Sequence, residues 1–254
     1  MLRRGRKAAI AKAWSSVPPG TRVYAIGDVH GRHDLLLELL AAIEEDDARY
    51  VPAETHVVML GDLIDRGPDT ASVVDMLATG RPAFADFHFL MGNHEEMLLR
   101  LVDEPTAAGM AHFLRFGGRE TFESYGVPQR MLDMPDGQPL QAITAHVPAA
   151  HLAFLRTFGD AIQFGDYLFV HAGIRPDVPM ADQVPEDMRW IRNQFLESDA
   201  DHGLIVVHGH TIAGAAQVRH NRIGIDTGAF ATGILTAIGL QGTKRWLIAT
   251  PPET

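Results

Sequence analysis

Residue types that bind metal ions recur in short, glycine-flanked groups along the chain. Asp28 and His30 stand two residues apart in the run Gly-Asp-Val-His-Gly. In extended backbone, residues i and i+2 project to the same side, so one cation can contact both side chains. Asp62 follows in a Gly-Asp context, and Asn93 and His94 follow in Gly-Asn-His-Glu. Oxygen and imidazole ligands without thiolate suit Mn²⁺, Fe or Zn²⁺. These groups therefore predict a site for divalent cations.

Two histidines in the second half of the chain extend this set. His171 stands in Val-His-Ala-Gly and His210 in Gly-His-Thr. Each candidate also has a structural interpretation. Asp62 suits a helix cap, Asn93 suits a left-handed turn, and the two histidines suit hydrogen-bonded positions in a core. Because such residues recur after five separate apolar runs, a shared metal site is the better interpretation.

The elements that must position these residues are short strands, because each group follows a β-branched or apolar run. The predicted strands cover residues 22–26, 56–60, 87–91, 167–170, 204–208, 222–225, 234–240 and 244–249, and predicted helices cover 34–45, 70–78 and 95–102. The carboxyl ends of strands are where α/β sheets place their sites. The first half alternates strand and helix, whereas the last third is mostly strand. We therefore expect an α/β layer followed by a second, more antiparallel sheet.

Composition narrows the class of protein. The chain has 254 residues, 46% of them hydrophobic, and 22 basic against 32 acidic residues give a formal charge of −10. A protein that coats nucleic acid needs a basic face, so we expect no nucleic-acid partner. A phosphate substrate remains compatible, because bound cations invert the local field. The absence of cysteine rules out disulfides and thiolate-bound zinc and fits the cytoplasm, where we expect the protein to be.

The domain organisation is predicted to be simple. Residues 1–20 form a basic N-terminal extension without the apolar run of a secretory signal, and no later run is long and apolar enough to span a membrane. Residues 21–254 form a single domain. Glycine-rich and proline-containing turns between predicted helices mark a helical insertion at about residues 103–160, which we expect to pack over the site.

Taken in order, the blocks Gly-Asp-Val-His-Gly, Gly-Asp-Leu-Ile-Asp-Arg-Gly, Gly-Asn-His-Glu, His-Ala-Gly and Gly-His-Thr resemble the calcineurin-like metallophosphoesterases. Within them, the chain is similar to the bacterial branch of the phosphoprotein phosphatases. The resemblance runs from Arg22 to Ala249 and implies an α/β (α+β) sandwich of two mixed β-sheets flanked by helices. Many family members carry Gly-His-x-His in the last block, whereas Ile212 takes the final position here.

The resemblance implies two metal ions that share one ligand. One ion is bound by Asp28, His30 and Asp62, and the second by Asp62, Asn93, His171 and His210, so that Asp62 bridges. Two cations about 3.5–4 Å apart can hold a hydroxide at neutral pH and orient it in line with the scissile P–O bond. The resemblance favours Mn²⁺ as the working ion, with Fe and Zn²⁺ as alternatives.

The same resemblance implies the group that protonates the leaving alkoxide. His94 is expected to be this general acid, which requires an imidazolium that stays charged near neutral pH. Asp65 matches the family position that holds this histidine. The structural alternative for Asp65 is a cap for the helix that starts near Pro68.

Two arginines are expected to bind the phosphate. Arg66 matches the family arginine whose guanidinium contacts two phosphoryl oxygens and stabilises charge in the transition state. A Trp-x-Arg element ending at Arg192 resembles the family's second arginine, although Arg175 and Arg189 lie nearby in the sequence. Asn93 is expected to contact the substrate as well as the metal.

The expected function is a dinuclear, metal-dependent phosphomonoester hydrolase of bacterial protein serine/threonine phosphatase type, acting by direct attack of metal-bound hydroxide on a phosphorylated protein or small phosphoester. The alternative is a symmetrical bis(5'-nucleosyl)-tetraphosphatase, whose family shares all the blocks. A protein phosphatase needs an open groove, whereas a dinucleotide enzyme needs a pocket for a base. A catalytically inactive binding scaffold is a third hypothesis, but every matched ligand and His94 are present, which argues against it.

Overall fold

A computed structural model describes residues 15–133 and 140–252 of the chain. Most of the predicted basic extension, residues 1–14, therefore lies outside the described residues. The strands are β1 Thr21–Ile26, β2 Glu54–Met59, β3 Asp86–Phe89, β4 Ala161–Phe164, β5 Tyr167–Val170, β6 Ile205–His208, β7 Gln217–Val218, β8 Arg222–Gly224, β9 Thr236–Gln241 and β10 Lys244–Ala249.

The helices flank these strands. They are α1 His33–Asp47, α2 Thr70–Thr79, α3 Asn93–Asp103, α4 Ala107–Phe113, α5 Arg119–Ser124, α6 Gln129–Leu132, α7 Leu140–Thr144, α8 Ala149–Leu155, α9 Pro185–Trp190, α10 Asn193–Leu196 and α11 Ala229–Thr232. A π-helical turn, Leu114–Gly118, joins α4 to α5, and a 3₁₀ turn covers Met180–Asp182. No helix among the residues described is at once long and apolar enough to cross a membrane.

The strands form two five-stranded sheets, with orders β10-β9-β1-β2-β3 and β4-β5-β6-β8-β7. In the first sheet, β1, β2 and β3 are parallel, and β9 is antiparallel to β1 and β10. In the second, β5, β6 and β8 are parallel, and β4 and β7 are antiparallel to their neighbours. The predicted pair of mixed sheets flanked by helices is confirmed.

The expectation that the second sheet is the more antiparallel one is wrong. Each sheet has two parallel and two antiparallel pairings, because β9 and β10 return to the first sheet beside β1. The long connection between β5 and β6 gives the chain room to cross over and run parallel, which a short hairpin does not. The sequence prediction also missed β4 and β7, which are short and partly or fully exposed.

The core lies between the sheets and under the helices. Val23 and Ala25 of β1 face the second sheet and pack in one cluster with Phe169 and Val207. The intervening Tyr24 points to the opposite face, since side chains alternate along a strand, and packs with the helices. This alternation buries both faces of β1.

The segment between α3 and β4 forms helices α4 to α8 in its described part. Phe113, Phe122 and Leu155 from this segment are buried in the same cluster as the helix-facing side of the first sheet. These side chains of the segment therefore pack with the helix-facing side of the first sheet. Because β1, β2 and β3 are parallel, their carboxyl ends lie at one edge of the sheet, and this edge carries the candidate residues.

Candidate metal centre and active site

The loops that carry the candidate residues have unusual backbone conformations. Six non-glycine residues in the described part of the chain have positive φ, and five of them are candidate site residues: His30 (46°), Asp62 (50°), Asp65 (73°), Arg66 (68°) and His210 (63°). A residue held in this left-handed region costs about 1–3 kcal/mol and persists only where its surroundings fix it. The strain in these loops is therefore concentrated at the predicted site.

Glu95 is the side chain that fixes these loops. Its carboxylate accepts hydrogen bonds from the backbone N–H groups of Gly92 (3.0 Å), Asp62 (2.9 Å) and Leu63 (2.7 Å). The residue is fully buried at the start of α3. A Cβ at position 92 would clash with the Asp62 carboxylate, so only glycine allows this close approach. Glu95 was not among the predicted site residues, although a glutamate three residues after a helix cap is a capping-box signal.

The Asp62 carboxylate lies at the centre of the site. Its Oδ1 accepts a hydrogen bond from the backbone N–H of His94 (3.1 Å). Its Oδ2 lies 3.4 Å from His171 Nε2, 3.7 Å from His30 Nε2 and 3.9 Å from His94 Nε2. Ligand atoms of His30, Asp62 and His94 lie within 4.8 Å of one another, and so do those of Asp62, His171 and His210. Asp62 thus belongs to both groups of possible ligands.

The tautomer of His30 leaves a lone pair on Nε2, the nitrogen that lies near the Asp62 carboxylate. His30 Nδ1 donates to the carbonyl of Ile64 (2.7 Å), and its Nε2 is buried without a hydrogen-bond partner among the described residues. Burial lowers the pKa of His30 to about 3, so the ring is neutral and Nε2 carries a lone pair. Buried polar atoms are normally satisfied, so an unpartnered one at a candidate ligand position requires an explanation.

His171 repeats this arrangement on the other side of Asp62. Its Nδ1 donates to the carbonyl of Leu60 (2.8 Å), and burial lowers its pKa, which leaves a lone pair on Nε2. That nitrogen faces Asn93 Oδ1 (3.1 Å) and Asp62 Oδ2 (3.4 Å). His210 Nδ1 lies 3.1 Å from the same nitrogen, and His210 Nε2 is buried without a hydrogen-bond partner among the described residues. The residues present therefore fit a divalent cation, the ligand that such lone pairs and carboxylates take.

Asp28 lies beside His210. The backbone N–H of His210 donates to both oxygens of the Asp28 carboxylate (3.1 and 3.0 Å), and a Cβ on Gly209 would collide with it. Burial, followed by repulsion from Asp226 and Asp62, raises the pKa of Asp28 well above its usual range. Bound cations would offset this repulsion between buried carboxylates.

The His94 ring is held by Asp65, which Thr121 holds in turn. Its Nδ1 donates to Asp65 Oδ2 (2.6 Å), whose other oxygen accepts from the Thr121 hydroxyl (2.6 Å). Burial by itself lowers the pKa of His94, but attraction to Asp62 and the hydrogen bond to Asp65 outweigh it, so the pKa is raised. The cap of α2 is Asp69, which accepts from the backbone N–H of Ser72, so Asp65 is not the helix cap.

Arg66 lies against His94. Its Nη2 donates to His94 Nε2 (3.0 Å), and its guanidinium stacks over the ring of Phe230, 4.9 Å from the centroid. Its backbone N–H donates to the carbonyl of Gly117 in the π-helical turn (2.9 Å). Gly117, which belongs to the segment between α3 and β4, thus supports the backbone of Arg66.

Of Arg175, Arg189 and Arg192, Arg192 makes the longest and weakest hydrogen bonds. Arg175 makes two hydrogen bonds to Asp187, and Arg189 is bonded to Asp160. Arg192 is exposed and donates through two long hydrogen bonds, to the His210 carbonyl (3.4 Å) and to the Thr211 hydroxyl (3.5 Å). Its guanidinium therefore lies at the edge of the His171–His210 group and is the one best able to bind a ligand there.

Three further residues reach the site without having been assigned a part in it from the sequence: Glu95, Thr121 and Phe230. Thr121 and Phe230 stand in segments without a metal-ligand pattern, and only the fold brings them to the site. Asp226 is buried and raises the pKa of Asp28 by charge repulsion, and burial raises the pKa of Asp226 itself to about 6.

A model of the calcineurin-like phosphoesterase family matches residues 21–231 of the chain. The protein therefore belongs to the calcineurin-like phosphoesterases, which confirms the expected superfamily and the expected hydrolase class. Members of this family are phosphoesterases that use divalent metal ions.

Two curated relatives show the range within the family. The chain is 31% identical over 153 residues to the symmetrical bis(5'-nucleosyl)-tetraphosphatase of Dechloromonas aromatica, a match that covers 60% of this chain and 44% of that protein. It thus spans less than half the length of that relative. It is 26% identical over 225 residues to serine/threonine-protein phosphatase 2 of Salmonella typhimurium, which covers 84% of this chain and 90% of that protein.

Solved structures share the fold. A candidate diadenosine tetraphosphatase superposes with a TM-score of 0.62 at 19% identity, covering 96% of this chain and 99% of that chain. A protein serine/threonine phosphatase from Saccharomyces cerevisiae gives a TM-score of 0.55 at 14% identity, covering 91% and 80%. The fold is therefore common to relatives with different described substrates.

Proposed function

We propose that this protein hydrolyses phosphoesters with two divalent cations bound around Asp62. Asp28, His30 and Asp62 would hold one cation, and Asp62, Asn93, His171 and His210 the other. The observation that carries this proposal is a pair of buried imidazole nitrogens, Nε2 of His30 and Nε2 of His210, that have no hydrogen-bond partner among the described residues and belong to histidines grouped with Asp62. When bound, two such cations activate water and neutralise charge on the phosphoryl oxygens.

The ligand chemistry also supports a choice of metal. The set combines imidazole with carboxylate and amide oxygen and has no thiolate, which suits Mn²⁺, Fe or Zn²⁺. We propose Mn²⁺ as the working ion. Comparison of the activities restored by each metal after chelation tests this choice.

His94 is proposed as the group that gives a proton to the leaving oxygen. It is buried, and Asp65 holds its Nδ1, so that Nε2 faces Arg66 and the Asp62 carboxylate. The hydrogen bond between Asp65 and Thr121 keeps that carboxylate in place. The imidazole is thus presented to the site in one orientation, as a general acid requires.

Arg66 and Arg192 are proposed to bind the phosphoryl group from two sides. Arg66 donates to His94 in the absence of substrate, and a bound phosphate would offer its guanidinium stronger, charge-assisted acceptors. Arg192 lies beside His210 on the other side of Asp62, and its guanidinium makes two long hydrogen bonds, to the His210 carbonyl and the Thr211 hydroxyl. Asn93, between the two groups, is proposed to contact the substrate as well as a metal.

Two substrate classes have specific support. A dinucleoside tetraphosphate is supported by relatives of about one-third identity and by the aromatic and cationic lining of a cleft beside Arg66. A phosphoserine or phosphothreonine protein is supported by an alignment that covers 90% of the Salmonella typhimurium phosphatase. The cleft is a feature of this chain's own site, so we place the dinucleotide first and the phosphoprotein second.

The test measures hydrolysis by metal-stripped protein with and without added Mn²⁺, using diadenosine tetraphosphate and a phosphoserine/phosphothreonine peptide at equal concentration. Mn²⁺-dependent turnover of either substrate supports the proposed chemistry, and the faster substrate identifies the class. Asp62→Asn is the matched inactive variant. Failure of Mn²⁺, Fe²⁺ and Zn²⁺ alike to restore hydrolysis of these and of simple phosphomonoesters would contradict the proposal.

A further inference from the structure

A cleft of about 340 Å³ opens beside Arg66. It is lined by Arg66, Arg115, Phe116, Gly117, Glu120 and Phe230. This volume lies at the lower end of the range that holds small ligands. The lining comes from the strand-end loop of Arg66, from the π-helical turn and α5, and from α11, so the fold brings three separate segments together here.

The π-helical turn places two of these side chains next to Arg66. Gly117 in this turn has φ of 104°, and its carbonyl accepts the backbone N–H of Arg66. A Cβ at position 117 would lie 2.7 Å from the backbone nitrogen of Arg66, so glycine is required for this contact. Arg115 and Phe116, immediately before Gly117, are thereby held at the mouth of the cleft.

The lining combines groups that suit a nucleotide. The ring of Phe116 is 40% exposed and lies 5.7 Å from the Arg115 guanidinium. An exposed aromatic ring offers a stacking surface for a base, and arginines bind phosphate oxygens. The Glu120 carboxylate also lines the cleft and can accept a hydrogen bond from a ribose hydroxyl or an exocyclic amine.

The cleft lies next to the proposed proton donor. Arg66, which lines it, places its Nη2 3.0 Å from His94 Nε2, the nitrogen proposed to protonate the leaving oxygen. Phe230, on the opposite wall, stacks with Arg66 and packs edge-on against the His30 ring. A group leaving toward His94 therefore enters this cleft.

We propose that this cleft binds a nucleoside diphosphate leaving group, so that Arg115, Phe116 and Glu120 select dinucleoside polyphosphates; this inference rests on the proposed phosphoester hydrolysis. In a dinucleoside tetraphosphate, the oxygen of water forms a bond to phosphorus and the central P–O bond breaks. The leaving nucleoside diphosphate takes a proton from His94, and water releases a proton to solvent. The products are two nucleoside diphosphates.

The test compares kcat/KM for diadenosine tetraphosphate with kcat/KM for a phosphoserine peptide that has no aromatic residue. In Phe116→Ala and in Arg115→Ala we expect the ratio of the two to fall about tenfold, the size that loss of one base-stacking contact gives. Phe116→Leu, which keeps an apolar side chain but has no aromatic ring, is expected to lower this ratio as well. The matched control is Arg100→Ala, an exposed arginine in a separate cleft next to Trp190, for which the ratio stays at the parent value.

An unchanged ratio in Phe116→Ala and Arg115→Ala would overturn the inference while leaving the hydrolase proposal intact. Equal loss on both substrates would also overturn it, since the turn would then act only by supporting Arg66. If the parent hydrolyses neither substrate, both proposed substrate classes fail, and binding of ADP and of inorganic phosphate tests the cleft by itself. We expect tighter binding of ADP, with the preference reduced about tenfold in Phe116→Ala; equal affinities in the parent would refute the cleft's role.

Discussion

Strands β2 and β3 carry histidine and carboxylate side chains at both of their ends. At the carboxyl ends lie Asp62 and His94 with their partners, all buried. At the amino ends lie Glu54, His56 and Asp86, whose ligand atoms also approach within 4.8 Å of one another. The two groups thus share residue types and spacing, and a search for such residues alone would not separate them.

Their surroundings separate them. At the amino ends, Glu54 and Asp86 are exposed, and His56 Nδ1 is bonded to His88 Nε2 (3.1 Å). At the carboxyl ends, His30 Nε2 is buried without a partner among the described residues. An unsatisfied buried polar atom costs about 1–3 kcal/mol, which a bound cation offsets. Residue types therefore indicate a metal site only where burial leaves their lone pairs unsatisfied.

The largest expected effect tests the centre of the buried group. In Asp62→Asn, the shared carboxylate loses its charge, so we expect both cations to be lost and hydrolysis to fall to the background rate. Elemental analysis of metal content and circular dichroism check this, and the fold is expected to persist. Full occupancy of both metal sites in the variant would contradict the bridging position of Asp62.

A smaller loss is expected for His94→Asn, which removes the proposed proton donor and keeps an amide of similar polarity. We expect kcat to fall about 10²–10⁴-fold, the range of general acid catalysis. Metal content should stay at the parent level, because His94 is not among the proposed ligands. Turnover equal to that of the parent would rule out the assigned role of His94 but not the metal centre.

Glu95→Gln tests whether a residue that is not a proposed metal ligand maintains the strained backbone of the site loops. The amide keeps one acceptor oxygen and loses the charge that holds three backbone N–H groups. We expect metal affinity to fall about 10–100-fold and the free energy of unfolding to fall by about 2 kcal/mol. Metal titration and urea denaturation measure the two effects. Parent-like values of both would show that the loops hold their conformation without Glu95.

The smallest effects are expected at the amino ends of the strands. His56→Gln removes the hydrogen bond to His88, and the free energy of unfolding should change by no more than about 1 kcal/mol. Hydrolysis and metal content should match the parent. If the parent instead binds a third cation that His56→Gln loses, the comparison fails and the amino-end group is also a metal site.

Much of this arrangement could be predicted from sequence because it is local. A glycine followed by an aspartate or asparagine after an apolar run marks the end of a strand, and Asp28, Asp62 and Asn93 all lie at such points. Parallel strands then bring these ends to one edge. The pairing of β9 with β1 could not be predicted in this way, because the hydrophobic pattern of a strand does not determine which strand it pairs with.

The parts that the sequence did not reveal depend on contacts between distant segments. Thr121 is 56 residues from Asp65, its hydrogen-bond partner, and stands in a helix without a ligand pattern. Phe230 meets Arg66 only when the first sheet and α11 are folded. Such residues stand in no motif, and their role follows from the packing alone.

The two contacts from the insertion to the catalytic loop also bear on how specificity can be changed. Thr121 bonds the carboxylate of Asp65, and the Gly117 carbonyl accepts the backbone N–H of Arg66, so the residues proposed to select the substrate and those proposed to act in catalysis share one support. A chimera that exchanges this insertion for a relative's would transplant a binding surface together with a structural support of the catalytic loop. We expect such exchanges to yield active enzymes only where the new segment preserves a hydroxyl at position 121 and a glycine at position 117.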